Sequence, residues 1–170
     1  PPLTRFTAEI SGTGSRYEIT SLRGVFCKGN VSADATIDPF TQTVHRARLA
    51  VRNMDLGVVH RSSPEPAGEV AGRMTASLDI TPCAMHADSL AGSGKVMVRA
   101  FRAHKLPVQR SLIVLLGLPD LSDISFSRIE TPLRLERGKL HTSKITGRGD
   151  KLDFTAAGFV RSNGYLYQSC

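Results

Sequence analysis

The sequence has no tryptophan, and only three tyrosines and seven phenylalanines in 170 residues. Proteins that hold single-stranded nucleic acid stack bases on aromatic side chains, so that platform is hard to build here. No RNP-like aromatic strand, helix-turn-helix pair or zinc finger is present either, which leaves only nonspecific phosphate contact. The three cysteines, Cys27, Cys83 and Cys170, are an odd number without short paired spacing. That argues against a disulfide framework and leaves the redox compartment open, with one Cys27–Cys83 bridge as an option. The longest apolar run, Leu112 to Leu118, is far shorter than the ~20 residues that cross a bilayer. No signal peptide is visible, and the start at Pro1-Pro2 reads as a cut end, so an upstream targeting or anchoring segment stays open.

Catalytic and metal-binding patterns are also scarce. Three G-x-G pairs occur, at Gly12/Gly14, Gly92/Gly94 and Gly147/Gly149. None extends to G-x-G-x-x-G or opens a helix, so they read as hairpin turns rather than phosphate cradles. Ser93 lacks the G-x-S-x-G frame of an activated serine. Cys83 and His86 are half of a zinc motif without a second half. The five histidines, His45, His60, His86, His104 and His141, are isolated. Asp34, Asp38, Asp79 and Asp150 fall on outward strand positions or in turns, where solvated charge is the default. The chain therefore reads as a non-enzyme with no metal and no cofactor. Asn30-Val31-Ser32 matches a glycosylation sequon at a turn, which has meaning only in a secreted eukaryotic protein.

What is present is charge and alternation. The net charge is +7 and the pI about 9.8, which attracts polyanions such as nucleic acid, anionic headgroups or lipopolysaccharide. The basic residues are scattered rather than blocked, as on a solvated sheet face. Length allows one domain, residues 1–170.

Short alternating stretches recur at the spacing of all-β architectures. Phe6, Ala8 and Ile10 share one face of the first. A strand over Tyr17–Leu22 is followed by a turn or bulge at Arg23-Gly24. Gly29-Asn30 is a two-residue turn signal. Val31, Ala33, Ala35 and Ile37 alternate against Ser32, Asp34 and Thr36. Ala47, Leu49 and Val51 point inward, with Arg46, Arg48 and Arg52 outward. Asn53-Met54-Asp55 resembles a helix start, with a helical turn or two over Met54–His60. Gly68 to Thr81 is the cleanest period-two stretch, with Val70, Met74 and Leu78 on its apolar face. After a turn at Gly92-Ser93-Gly94, Val96, Val98 and Ala100 share a side. Ile129, Leu133 and Leu135 line a strand over 125–136, and Leu152, Phe154 and Ala156 continue the pattern.

One helix stands out in this β-rich chain. Pro107 suits its start, and Gly117 with Pro119 its end. Between them Val108, Leu112, Leu115 and Leu116 fall at helical spacing. So apolar a helix needs a sheet face or a lipid to cover it. The expected fold is mainly β, a curved antiparallel sheet shaped as a groove, with one or two short helices and the main one near 107–117.

From Met54 onward the order of elements resembles the C-terminal region of AsmA-like proteins. The residues that carry this are Asn53-Met54-Asp55-Leu56, the long strand over Gly68–Ile80, the entry Asp88-Ser89-Leu90-Ala91-Gly92-Ser93-Gly94, Leu106-Pro107 with Leu112–Leu116, Phe126 to Leu140 ending in Arg137-Gly138-Lys139-Leu140, and the stretch Gly147–Val160. The chain departs from the family in lacking an N-terminal transmembrane helix. It also carries Arg99-Ala100-Phe101-Arg102 where the family usually turns with Asp-Gly. The resemblance implies a fragment of a longer membrane-anchored protein on the periplasmic side of the bacterial inner membrane, associated with the membrane through a segment outside this chain. It implies phospholipid or another acyl-chain ligand and other envelope proteins as partners, with no specific nucleic acid. The groove would be formed by Val70, Met74, Leu78, Val96, Val98, Ile129, Leu133, Leu135, Leu152 and Phe154, with Leu112, Leu115 and Leu116 from the helix. The alternative expectation is a non-catalytic structural or interaction module whose helix fills the groove.

Overall fold

A computed structural model describes residues 4–14, 16–64, 68–84, 86, 89–104, 123–149, 153–160 and 166–167. They form one antiparallel sheet of eleven strands. The strands are β1 (Thr4–Thr13), β2 (Arg16–Phe26), β3 (Gly29–Asp38), β4 (Thr43–Asp55), β5 (Glu69–Ile80), β6 (Cys83–Ala84), β7 (Gly92–His104), β8 (Asp123–Glu136), β9 (Lys139–Arg148), β10 (Phe154–Val160) and β11 (Leu166–Tyr167). Their spatial order follows the chain from β1 to β11, except that β6 leaves the path and pairs with β4. The sheet is not closed, since its path ends at β1 on one side and β11 on the other. The single helix among the described residues is α1 (Leu56–Arg61), so the expectation of a mainly β, curved antiparallel sheet holds. The helix expected over 107–117 lies outside the described residues, and so do Leu112, Leu115, Leu116 and Leu152.

Short hairpins produce this meander, and among the described residues two of them are two-residue loops with both central residues at positive φ. Phe26 pairs with Gly29, which leaves Cys27 and Lys28 as a two-residue loop at φ 47° and 62°. Glu136 pairs with Lys139 around Arg137 and Gly138 at φ 50° and 68°. Left-handed conformation at both central residues matches the right-handed twist of the strands. The first of these turns falls two residues before the expected Gly29-Asn30. Gly29 has another duty: a Cβ there would lie 2.5 Å from the Met54 Cα. It is the small residue over which β4 passes, not the turn. Cys27 is a buried free thiol in this loop, with no disulfide.

The expected turn at Gly92-Ser93-Gly94 is also strand. Gly92 and Gly94 pair with Ile80 and Leu78 of β5 on one side and with Leu135 and Leu133 of β8 on the other. A Cβ on Gly94 would stand 2.1 Å from the Ser77 carbonyl oxygen, and one on Gly92 2.3 Å from that of Asp79. Their absent side chains let the two backbones approach.

At the start of α1 it is Asp55, not Asn53, that caps the helix. Its carboxylate accepts from the Gly57 and Val58 amides at 3.0 and 3.2 Å, which satisfies two otherwise orphan donors. The helix packs on β5, where buried Gly57 lies against the Val70 carbonyl.

Bulges in β4 and β7, and a matching change of phase in β8, crease the sheet along a slanted line. Asn53 in β4 has φ 56°, and its amide bonds the Thr75 hydroxyl across the strand pair. Ala100 in β7 has φ 48° and faces Gly72, φ 142°, in β5. In β8 the consecutive Ser127 and Arg128 are both exposed. A bulge shifts the side-chain alternation by one residue and increases local twist. Beyond the crease the inward positions of β7 change from Val96 and Val98 to Phe101 and Ala103. Those of β8 change likewise, from Ile129 to Phe126 and Ile124. Ala100, expected beside Val98, is thereby exposed on the other face.

The β3–β4 connection is held by Asp38, whose carboxylate accepts from the Phe40 and Thr41 amides at 3.0 and 3.1 Å. The Thr41 amide bond is the largest influence holding this carboxyl below its ordinary pKa, with Phe40 and the nearby His45 adding to it. A group whose folded pKa is depressed stabilises the fold above its unfolded pKa, about 3.9, and loses that contribution as pH falls through the folded value. The stability difference between the wild type and Asp38→Ala should therefore be full at pH 6 and shrink steadily below about pH 4. Urea midpoints across that range measure it, and a pH-independent difference would contradict the role of the ionised carboxylate.

Candidate functional site

Residues directly opposite in an antiparallel pair project from the same face. The register therefore assembles one face strand by strand. Met74, Val98 and Ile129 form one cross-strand row through β5, β7 and β8. Val31, Val51, Ala76, Val96 and Thr131 form the next, from β3 to β8. Ala33, Leu49, Leu78, Gly94 and Leu133 form a third, and Ala35, Ala47, Ile80, Gly92 and Leu135 a fourth, which continues to Leu140 of β9. No charged residue belongs to any of these rows. Thr131 is their one hydroxyl, and it is satisfied by a hydrogen bond with Thr142.

Of the residues expected to form the groove, Met74, Leu78, Val96, Val98, Ile129, Leu133 and Leu135 thus share one surface, and Val70 continues it beyond the crease. Val70 pairs with Ala103, and Ala103 with Ile124. Phe154 joins from β10, where it stands opposite Gly147; a Cβ on that glycine would collide with the ring. The ring meets Phe126 edge-on at 5.0 Å, and Phe126 lies 6.4 Å from Phe101. The sequence reading missed Phe101, Ala103, Ile124 and Phe126. Their signal was present: after Arg99-Ala100 the alternation resumes one residue out of phase.

This apolar face is only partly covered. Among the described residues the buried apolar side chains are Cys27, Met54, Ala103, Phe126 and Leu135, and no side chain is less than 2% exposed. Most of the face is half-buried, while Leu49 is 43% and Ile10 64% exposed. At the far side of the crease the face ends in a cleft of about 1110 Å³ bounded by Val70, Phe101, Ala103, Ile124 and Phe126, with His60 and Arg61 of α1 at its edge. His104 and Asp123, whose side chains pair, stand at its rim.

The opposite face is polar and basic. Arg48 pairs with Asp79 at 2.6 Å, and Arg134 with Glu136 and Arg128 with Glu130 at 2.5 Å. The Arg128 hydrogen bond is the main cause holding the Glu130 carboxyl below its ordinary pKa, helped by Arg148 and Lys95. No cluster of three or more His, Cys, Asp or Glu that could hold a metal occurs among the described residues. No helix among them is long and apolar enough to cross a membrane. Compared with protein-family models, curated proteins and solved structures, the chain matches none.

Proposed function

We propose that this chain is a non-catalytic module of the bacterial cell envelope whose apolar sheet face holds the acyl chains of phospholipid, for lipid transport or outer-membrane biogenesis. The observation that supports this is the uncharged, half-exposed surface running from β3 to β10 and ending at the cleft whose apolar wall is Val70, Phe101, Ala103, Ile124 and Phe126. Monomeric soluble proteins rarely expose large contiguous apolar patches, and those that do use them for binding. Each acyl CH₂ withdrawn from water is worth about 0.8 kcal/mol, so a lipid tail along this face gains several kcal/mol without any polar contact. The AsmA-like order of elements read in the sequence is what supports the rest of the proposal: a module on the periplasmic side of the inner membrane, attached through a segment outside this chain, with other envelope proteins as partners.

The test is lipid extraction and mass spectrometry of the purified chain. Phospholipid should copurify, and Val96→Gln or Leu133→Gln should lower it to the level of an unrelated control protein. Lys95→Gln, on the polar face, should leave it unchanged. If the wild type carries no lipid above the control, the groove is not a carrier, and a scaffold with a filled face takes its place.

A further inference from the structure

The polar face carries a feature that folding alone does not call for. Arg73 of β5 stands directly opposite Arg99 of β7, Arg99 opposite Arg128 of β8, and Arg128 opposite Arg148 of β9. All four are exposed. Adjacent strands are about 4.8 Å apart, so four guanidinium-bearing side chains leave the sheet along a line of roughly 14 Å. Like charges directly opposite one another destabilise a sheet. Among the described residues ion pairs reach two members: Asp55 lies 4.0 Å from Arg73, and Glu130 binds Arg128, while Arg148 only shares the field of Glu130. Arg99, between them, has no ion pair among the described residues, and neither does Arg148. Lys95 and Lys144 add positive charge on the same side.

We propose that this arginine row is a docking strip for the phosphate groups of an anionic phospholipid surface. Guanidinium groups bind phosphate oxygens through paired N–H donors, and neighbouring ones can share a phosphate. The strip crosses the polar sheet face, and its members are exposed rather than enclosed. A free small ligand needs a concave site that surrounds it, whereas an extended layer of headgroups meets an open row along its whole length. Arg73, Arg99, Arg128 and Arg148 have no aromatic neighbour in their row, so the base stacking that supports single-stranded nucleic-acid binding is absent there. Because the row lies on the face opposite the groove, the inference stands or falls independently of acyl-chain carriage.

The experiment measures partition of the chain onto vesicles of phosphatidylcholine, with and without phosphatidylglycerol. Binding should require phosphatidylglycerol and weaken with salt. A basic side chain near an anionic surface contributes about 1 kcal/mol, so the double variant Arg99→Gln/Arg148→Gln, which removes the two members without an ion pair, should partition about thirty-fold less well. Arg48→Gln/Arg134→Gln removes the same charge from carboxylate-paired positions on the same face and should lose far less. The row variant should also melt at a higher temperature than the wild type, because the like-charge repulsion is gone, so misfolding cannot explain its loss of binding. Equal losses in the two double variants would reduce the effect to diffuse charge and overturn the proposal. So would absence of binding to the anionic vesicles. Inorganic pyrophosphate is the third arm: binding to it as tight as to vesicles, and lost with Arg99 and Arg148, would make the ligand a free phosphate compound and overturn the surface proposal.

Discussion

Gly94→Ala should destabilise the chain by about 3 kcal/mol or more, a large share of a domain's total stability. A single methyl group is added, yet the position is on a strand between two others, and the new Cβ would stand 2.1 Å from the Ser77 carbonyl oxygen and 3.0 Å from the Leu78 Cα. Both obstacles are backbone, so no rotamer change relieves them. Relief requires β5 and β7 to move apart, which lengthens ladder hydrogen bonds over several residues, or β7 to slip its register. A one-residue slip would turn Val96 and Val98 to the polar face and Lys95 inward. Ser93→Ala, next door on the exposed side, should stay within about 0.5 kcal/mol of the wild type. Urea denaturation of the two variants measures the contrast. A Gly94→Ala protein as stable as Ser93→Ala would show that the close approach of the two strands is not a feature of the folded state.

Phe126→Ala should cost about 3–4 kcal/mol. Phe126 is 7% exposed and is the middle member of the line Phe101, Phe126, Phe154. Its ring contacts the Phe154 ring edge-on, a geometry that adds to area burial. Truncation removes the contact that couples β8 to β10 across the inner face, so the loss contains a cavity contribution as well as a transfer one. Phe40→Ala makes the comparison: Phe40 is 76% exposed at the β3–β4 turn, and its truncation should shift the urea midpoint little. If the two phenylalanines cost the same, the aromatic line is not packed as described.

Much of this architecture is legible in the sequence because period-two alternation is a direct consequence of strand geometry. Val31, Ala33, Ala35 and Ile37 read as one face, and the register confirms them. Arg46 and Arg48 read as outward, and Arg48 bonds Asp79 there. What alternation does not reveal is where it changes phase. Asn53 and Ala100 are bulges, β8 changes phase at Ser127–Arg128 in step with β7, and at each place two consecutive residues share the outer face. Reading straight through Ala100 assigns Phe101 to solvent and hides Phe126 behind Ser125. Glycine misleads for a related reason. A turn and a backbone close approach both call for a residue without a side chain. From sequence Gly29, Gly92 and Gly94 look like turns, and only the neighbouring strand shows that they are clearances. The arginine row is invisible in one dimension, since Arg73, Arg99, Arg128 and Arg148 are separated by 20 residues or more and meet only through three registers.

The consecutive order of the strands has a consequence for how the molecule comes apart. Among the described residues, and with the exception of β6, every strand pairs only with its neighbours along the chain. The energetics then approach those of a linear array, in which each unit is coupled to its nearest neighbours and no distant element closes the loop. Such an array frays from its termini, β1 at one side and β10–β11 at the other, while its middle persists. It can also part at an internal joint. Between β5 and β7 a broken ladder leaves two meanders, β1–β5 and β7–β11, each with its own run of nearest-neighbour pairs. The sheet is therefore less a single all-or-none body than a zipper, with its weakest tooth set by whichever joint is loosened.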